Sequence, residues 1–447
     1  MFNVNRNTKN KYYSLYSEIR GEILRGKIKS GEKLPSKRSL AESLGVSVVT
    51  VELAYEQLLA EGYIRAKERS GYFVEKVNTI RIEPRISAAQ STETRENEYK
   101  IDLTKGSAPA ALFPFSVWTK LIRSVLSDCG EHLLERVPCD GDKELKTAIA
   151  DYLYRSRGID APPEHVIIGA GAEHLYGVIV QLLGRDKLFA VENPGYGKIS
   201  HTYKLNGAKC LPIAVTDTGI DCTAVENSAA YAVHVSPSHQ FPTGVVTPVS
   251  VRARLINRAK SSGGYVIEDD YDSEFRLSGK PLQSTYGLCP EKVIYLNTFS
   301  KSLAPSMRMG YAILPDELYE KYKQLFSGNA NLVPLFEQKT LAAMLNGGYF
   351  ERHLSRLRNY YKIIRKKLIA KLDEFGAETD DSGSGLHVIA KFPQFASDDE
   401  LKQTAAKAGI KIKCLSDYIT APLDVPTGCA VINYSGITEA QIENLKI

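Results

Sequence analysis

Aspartate is missing from the first 76 residues, although the whole chain carries 52 Asp and Glu. That stretch has 14 Lys and Arg against nine Glu, while the rest of the chain holds 43 residues of each sign. The formal excess of +5 therefore sits in the first sixth of the chain. A small basic domain attracts a polyanion by neutralising phosphates and releasing counterions. Long apolar runs are missing too. No segment reaches the ~18 consecutive apolar residues of a membrane span, and no apolar stretch follows the polar, basic residues 1–11, which argues against a secretory signal. Cysteine is sparse: Cys129, Cys139, Cys210, Cys222, Cys289, Cys414 and Cys429 are odd in number, widely spaced and free of any CxxC pair. That argues against a zinc site or disulfide framework, leaves no metal expected, and suits a reducing cytoplasm. At 447 residues, 43% hydrophobic and 24% charged, the chain has the composition of a globular protein with two or more domains.

Within the basic stretch, residues 12–26 set Tyr12, Tyr16, Ile19 and Ile23 on one helical face ahead of Gly26. Residues 31–35 read as a turn. Ser36 caps a short helix with Leu40, Ala41 and Leu44 as its apolar positions and Gly45 at its end. Ser47 caps a further helix that buries Val51, Ala54, Tyr55, Leu58 and Leu59 and stops at Gly62. Two β-rich runs, 63–67 and 72–75, flank a Glu68-Arg69-Ser70-Gly71 tip suited to a tight hairpin. Three helices and a hairpin predict a winged helix-turn-helix over residues 1–76, whose third helix enters a DNA major groove with its N-terminus nearest the bases. Ser47, Val48, Val49 and Thr50 are the candidates there. Ser36, Lys37 and Arg38 are placed to meet phosphate through backbone N–H groups and cationic side chains, and Arg65, Lys67 and Arg69 on the wing to follow the backbone or minor groove.

The segment PSKRSLAESLGVSVVTVELAYEQLLAEGYI closely resembles the GntR-type winged helix, which implies binding to a double-stranded DNA operator. That family often has Arg after the Ser that opens the recognition helix. Val48 stands there instead, and an apolar side chain favours a thymine methyl over a guanine.

Residues 77–100 are polar, lack a sustained period and read as a linker. Beyond them HVIIGAG, KLFAVENP, YAVHVSP, GYVIEDD, KVIYLNTFSK and MGYAILP alternate with amphipathic helical stretches, the pattern of a mostly parallel α/β sheet. A helical segment from about 316 to 375 precedes HVIAKF, GIKIKCL and CAVINYS, taken with it as a helical segment and small α+β subdomain over about 316–447.

NTFSKSLAPSMRMGY, residues 297–311, is the most informative segment. Lys301 at the end of an apolar strand suits Schiff-base formation with a cofactor aldehyde, with Thr298, Ser300 and Arg308 for the cofactor's phosphate. An isolated Ser-Lys pair is more often a surface lysine beside a turn, so its companions decide. GYVIEDDYDSEF places Asp269, Asp270 and Tyr271 at a strand end. A carboxylate there holds a pyridine nitrogen protonated and a phenol hydrogen-bonds the ring oxygen. Alternate strand residues face opposite ways, so only one Asp points at the ring, and Asp269 shares a face with Tyr271. In HVIIGAGAEHLYG the backbone N–H groups of Gly171, Ala172 and Glu173 open a helix and can cradle phosphate.

Together, over roughly residues 101–447, these segments resemble class I, fold-type I pyridoxal phosphate aminotransferases. The resemblance implies pyridoxal 5'-phosphate on Lys301, Tyr196 of ENPGYGKI stacked on the cofactor, and SPSHQFPTG as the loop near the ring oxygen. Phe241 replaces the usual Asn before PTG, which leaves Gln240 or His239 as alternatives to ordinary loop residues there. End to end the chain resembles the MocR/GabR regulators. That implies a homodimer with crossed domains and an amino-compound effector that displaces Lys301 as an external aldimine and alters DNA binding. Aminotransferases fix the substrate α-carboxylate with an Arg in a strand reading like RLSFA; the matching residue here is Val431. Poor turnover with common amino acids is expected, and Lys198 either replaces that anchor or faces solvent. Two other readings stay open: a genuine class I aminotransferase with an accessory DNA-binding domain, and a DNA-binding protein whose large domain is a dimer scaffold.

Overall fold

A computed structural model describes residues 11–76, 99–106, 108–277, 282–379 and 385–446. The chain divides into two compact units, Met1–Glu96 and Asn97–Ile447. Apart from Tyr99 and Lys100, the linker expected over 77–100 lies outside the described residues.

In the first unit, helices Lys11–Leu24, Lys37–Leu44 and Val48–Ala60 precede a hairpin of Ile64–Lys67 and Gly71–Val74. The caps fall where the sequence puts them. Ser36 Oγ accepts from Ser39 N and Ser47 Oγ from Thr50 N, and Gly45 ends its helix in the left-handed region at φ 62°. Each supplies a partner or a conformation that a helix end otherwise lacks. The first helix buries Leu15, Tyr16, Ile19 and Ile23. Leu15, three residues on from Tyr12 and on the same stripe, is buried, while Tyr12 in the first turn is only partly so. Tyr55 seals the unit, donating its hydroxyl to Pro35 O at 2.9 Å. The hairpin pairs Ile64 with Val74 and Lys67 with Gly71.

The second unit is built on an eight-stranded sheet in the order Val166–Gly169, Gly310–Ile313, Val293–Thr298, Tyr265–Asp269, Ala232–Val235, Leu188–Asn193, Lys209–Thr216, Gly219–Ile220. Five adjacent strands, from Val293–Thr298 to Lys209–Thr216, are parallel. Gly310–Ile313 runs antiparallel to both of its neighbours. Helices cover both faces of such a sheet, and its strands read as buried apolar runs. Lys209–Thr216 was not legible as a strand, since Pro212 sits inside it. Near the sheet's edge the missing N–H costs little.

The helical segment after residue 316 resolves into Asp316–Phe326, Leu335–Asn346 and Tyr349–Glu374. A smaller antiparallel sheet follows, ordered Glu378–Thr379, His387–Lys391, Cys429–Asn433, Lys413–Cys414. Among the described residues no helix is long and apolar enough to cross a membrane.

Behind the central strands lies a buried ion pair. Arg157 Nη2 is 2.8 Å from Asp270 Oδ2, and Tyr295 donates to the same oxygen at 2.7 Å. This engages Asp270 on the far side of the sheet from Asp269. Removing one partner of such a pair strands a buried charge. Arg157→Met is expected to cost about 3–5 kcal/mol in urea unfolding of the large unit. Arg157→Met with Asp270→Asn should recover more than half of that loss, and equal losses in both variants would contradict the assignment.

Candidate functional site

On the first unit the recognition helix exposes its opening residues. Val48 is 42% exposed and Val49 61%, and Leu53, one turn on and not foreseen from the sequence, is 44%. Apolar side chains left in water at the helix start are available to base methyl groups. Ser47 and Thr50 hydroxyls lie 2.8 Å apart. Ser36 caps its helix from an exposed position.

The cations divide into two sets. Lys37 Nζ is 2.6 Å from Glu52 and lies over the Tyr72 ring, and Arg65 is 3.0 Å from Glu75. These two brace helix to helix and strand to strand. Arg38, Lys67 and Arg69 are exposed with no ion-pair partner among the described residues. Arg69 holds the hairpin tip at φ 54°, a conformation uncommon for a side-chain-bearing residue.

In the second unit several loops converge on Lys301. The residue follows the Val293–Thr298 strand, and its Nζ donates to Gly106 O at 2.7 Å. Burial pushes its pKa down, opposed by the Asp272 carboxylate. A Cβ on Gly106 would come within 2.4 Å of Lys301 Nζ and 2.5 Å of Asn433 Nδ2. A side chain at this position would displace the Lys301 amine and the Asn433 amide from where they lie. Neither Gly106 nor Asn433 was singled out from the sequence; a lone Gly and a lone Asn carry no spacing signal.

Asp269 ends the neighbouring strand, 7% exposed. It accepts from Tyr176 Oη at 2.5 Å and has His234 Nε2 at 3.3 Å; His234 Nδ1 in turn meets Tyr203 Oη at 2.6 Å. That chain orients the carboxylate, and neither Tyr176 nor His234 was anticipated. Tyr271 Oη lies 3.2 Å from His239 Nδ1, which is 2.9 Å from Asp272 Oδ2. Burial, then the Asp272 and Asp269 charges, raise the Tyr271 pKa well above its ordinary value. His387 stacks on His239 at 4.7 Å, and burial followed by His239 holds it well below the usual histidine range. His239, Asp272 and His387 each bring one ligand-type atom within 4.8 Å of the others. The Asp272–His239–Tyr271 distances read as a hydrogen-bonded group that fixes the phenol.

Gln240 is fully buried. Its amide donates to Pro194 O and Phe241 O at 3.0 and 2.7 Å, and its oxygen accepts from Thr243 N and Oγ1. These contacts spend Gln240 on joining two loops. Phe241 packs edge-on against Tyr196, Tyr271 and Tyr418 at 5.9, 6.5 and 5.1 Å. Tyr196 is half-exposed at the mouth. Beneath it Glu192 is buried and pushed up to about 8 by that burial.

At the other end, the Gly169–Gly171 turn opens the Ala172–Leu183 helix. Gly171 N donates to Gly169 O, leaving the helix to begin with Ala172 and Glu173. A Cβ on Gly171 would meet the Arg308 guanidinium at 3.0 Å. Glu173 carboxylate oxygens lie 3.4 Å from Arg308 and 3.6 Å from Lys198. A carboxylate thus sits in a cup of two cations at a helix N-terminus, the setting in which a phosphate binds. Thr298 and Ser300 are half-buried, Thr298 beside Gly310. Arg308 itself holds φ 47°.

The comparisons with known proteins agree with this division. The aminotransferase class I and II family matches residues 99–445, and the bacterial regulatory proteins of the gntR family match residues 11–74. The chain is 36% identical over 438 residues to the uncharacterized HTH-type transcriptional regulator YdeL of Bacillus subtilis, spanning 96% of this chain and 94% of that one. It is 31% identical over 444 residues to the probable rhizopine catabolism regulatory protein MocR of Rhizobium meliloti, spanning 95% and 90%. A kynurenine aminotransferase structure from Pyrococcus horikoshii shares the fold, with a TM-score of 0.68 at 23% identity over 76% of this chain and 87% of that one.

The two sets of cations separate in a salt titration. Arg69→Ala is expected to weaken DNA binding across sequences and flatten the slope of log K against log salt by about 0.9. Arg65→Ala should change that slope by less than half as much, because Glu75 already neutralises it. Anisotropy titrations from low to high salt check both, and equal changes would contradict the division.

Proposed function

Because the chain belongs to the HTH-type transcriptional regulators that join a GntR winged helix to a class I and II aminotransferase domain, we propose that it is a DNA-binding switch whose state is set by an amino compound at Lys301. Pyridoxal 5'-phosphate is the family's cofactor, and the residues described above fit it at every end. Bound there, it supplies an aldehyde carbon that condenses with primary amines and a ring that draws electrons when its nitrogen is protonated.

The chain's own groups divide the work. Asp269, steadied by Tyr176 and His234, holds a proton on the ring nitrogen. Tyr271 would hold one at the ring oxygen, and Tyr196 would supply an aromatic contact to the ring. Arg308, Ser300, Thr298 and the N–H groups of Ala172 and Glu173 bind the phosphate in place of the Glu173 carboxylate. Lys301 would hold the cofactor's aldehyde carbon through its amine, whose lowered pKa favours the neutral, nucleophilic form.

The observation that carries the sensing reading is the apolar setting of Val431. Val431 is 2% exposed and packs with Leu415, Phe241, Ile389 and Tyr418. An apolar cluster stands where an aminotransferase holds a guanidinium for the α-carboxylate. Cofactor chemistry is thus provided for, and the usual substrate clamp is not. This favours a sensor over a working transaminase, and the buried amine distinguishes it from an inert scaffold.

The functional form is a homodimer in the cytoplasm, with each winged helix crossing onto its partner's large unit. An effector shifts DNA affinity only by binding one arrangement of the domains better than another.

The expected outcome for Lys301→Ala is loss of both the near-ultraviolet and visible cofactor band and its response to amines, with basal DNA affinity kept within about twofold. Absorbance and anisotropy titrations on the full chain read this. A variant that keeps an amine-responsive band would refute the role of Lys301, and rapid multiple turnover by the wild type with common α-amino acids would favour the enzyme.

A further inference from the structure

If Val431 removes the usual anchor, the register of the small sheet shows which cation is nearest to replacing it. Asn433 pairs with His387, and Val431 with Ile389 on one side and Lys413 on the other. Cross-strand partners and residues two apart share a face. His387, Ile389, Val431, Asn433 and Lys413 therefore lie on one face. That face looks at the site: Asn433 Nδ2 and the Lys301 amine both lie beside Gly106, and His387 Nε2 lies 2.9 Å from Pro242 O and its ring against His239.

Two lysines share that face: Lys391, which pairs across from Cys429 and lies 3.5 Å from Glu378, and Lys413, which is directly across from Val431. Lys413 Nζ lies 5.6 Å from the centre of the Tyr418 ring. Tyr418 touches Phe241, and Phe241 touches Tyr196. The segment bearing Tyr418 is also tied to the stacking loop, through Gly195 N to Tyr418 O at 3.0 Å and Thr420 N to Asn193 Oδ1 at 2.8 Å. Lys413 is exposed and has no carboxylate partner among the described residues. Lys198, the other candidate, is drawn to Glu173 at the phosphate end.

Resting on the sensing reading above, we propose that Lys413 binds an anionic group of the effector while the effector's amine engages Lys301. The effector is then an amine whose anion is carried on a chain rather than on the adjacent carbon. Moving the cation by one strand spacing of about 4.8 Å lengthens the amine-to-anion span by about three to four bonds relative to an α-amino acid. Val431, Phe241 and Tyr418 line the intervening methylenes.

The test is a set of absorbance titrations of the cofactor-loaded full chain. The probes are glycine, 4-aminobutanoate, 5-aminopentanoate, 6-aminohexanoate, and butylamine and pentylamine as uncharged-tail controls. The longer amino acids are expected to bind about five- to tenfold tighter than glycine and than the matched amines. Lys413→Gln should erase the advantage of acid over amine and leave the amines unchanged, and Lys413→Arg should retain it. The proposal is overturned if Lys413→Gln keeps the advantage, if Lys198→Gln alone removes it, or if glycine binds tightest. If none of the probes moves an otherwise normal cofactor band, the sensing reading itself falls and this proposal with it. A thermal unfolding midpoint for Lys413→Gln equal to the wild type separates lost recognition from lost folding.

Discussion

A lysine ammonium withdrawn from water is costly unless it is paired or made neutral, and Lys301 is the residue on which that constraint falls. Its amine meets one carbonyl, Gly106 O, with Asn433 of the small sheet at the same point. Burial weakens its hold on the proton. The strand end that bears it, the 101–106 segment and the small sheet must all be in place for this to happen, so the amine joins parts of the large unit distant in sequence. Its environment favours the neutral amine, the form that condenses with an aldehyde, over what an exposed lysine would show. The Asp269 chain through Tyr176, His234 and Tyr203, and the Asp272–His239 pair behind Tyr271, are the polar framework that fixes the groups facing it.

The charge distribution gives the other half of the molecule its purpose. All of the formal excess is in the Asp-free first unit, and part of it is spent internally, on Glu52 and Glu75. Among the candidate DNA contacts, Arg38, Lys67 and Arg69 stay exposed without an ion-pair partner among the described residues, and Val48, Val49 and Leu53 are exposed apolar side chains on the third helix. Cations fix the position on a phosphate backbone, while apolar contacts to base edges carry sequence information. Were this helix to enter the major groove, Val48 in place of an Arg would bear on which bases are read more than on how tightly DNA is held.

Much of this was legible from residue order because the signals were local. Ser36, Gly45 and Ser47 mark helix ends by their own chemistry, and the alternation at Asp269, Asp270 and Tyr271 predicts opposite faces for the two carboxylates, of which Asp270 meets Arg157 and Asp269 meets Tyr176 and His234. What stayed hidden depends on long-range register. Lys209–Thr216 is masked by Pro212, which matters little beside an edge. Gly106, Asn433, Tyr176 and His234 reach the site from elements scattered through the chain. Gln240 has the right neighbours in sequence for the ring oxygen, yet its amide is consumed by Pro194 and Phe241. Lys413 becomes visible only through the register that sets it opposite Val431.

The central claim is that occupancy at Lys301 and affinity for DNA are linked, and linkage is reciprocal: an amine that changes DNA affinity by a given factor must have its own affinity changed by DNA by the same factor. The direct measurement is therefore a closed pair of titrations on the cofactor-loaded chain. One follows the cofactor band as an amine is added with and without duplex from the chain's own upstream region. The other follows duplex anisotropy with and without a saturating amount of that amine. The account predicts two equal factors, on the order of 5- to 150-fold, both lost in Lys301→Ala. An amine that saturates the band while DNA affinity stays the same would contradict it.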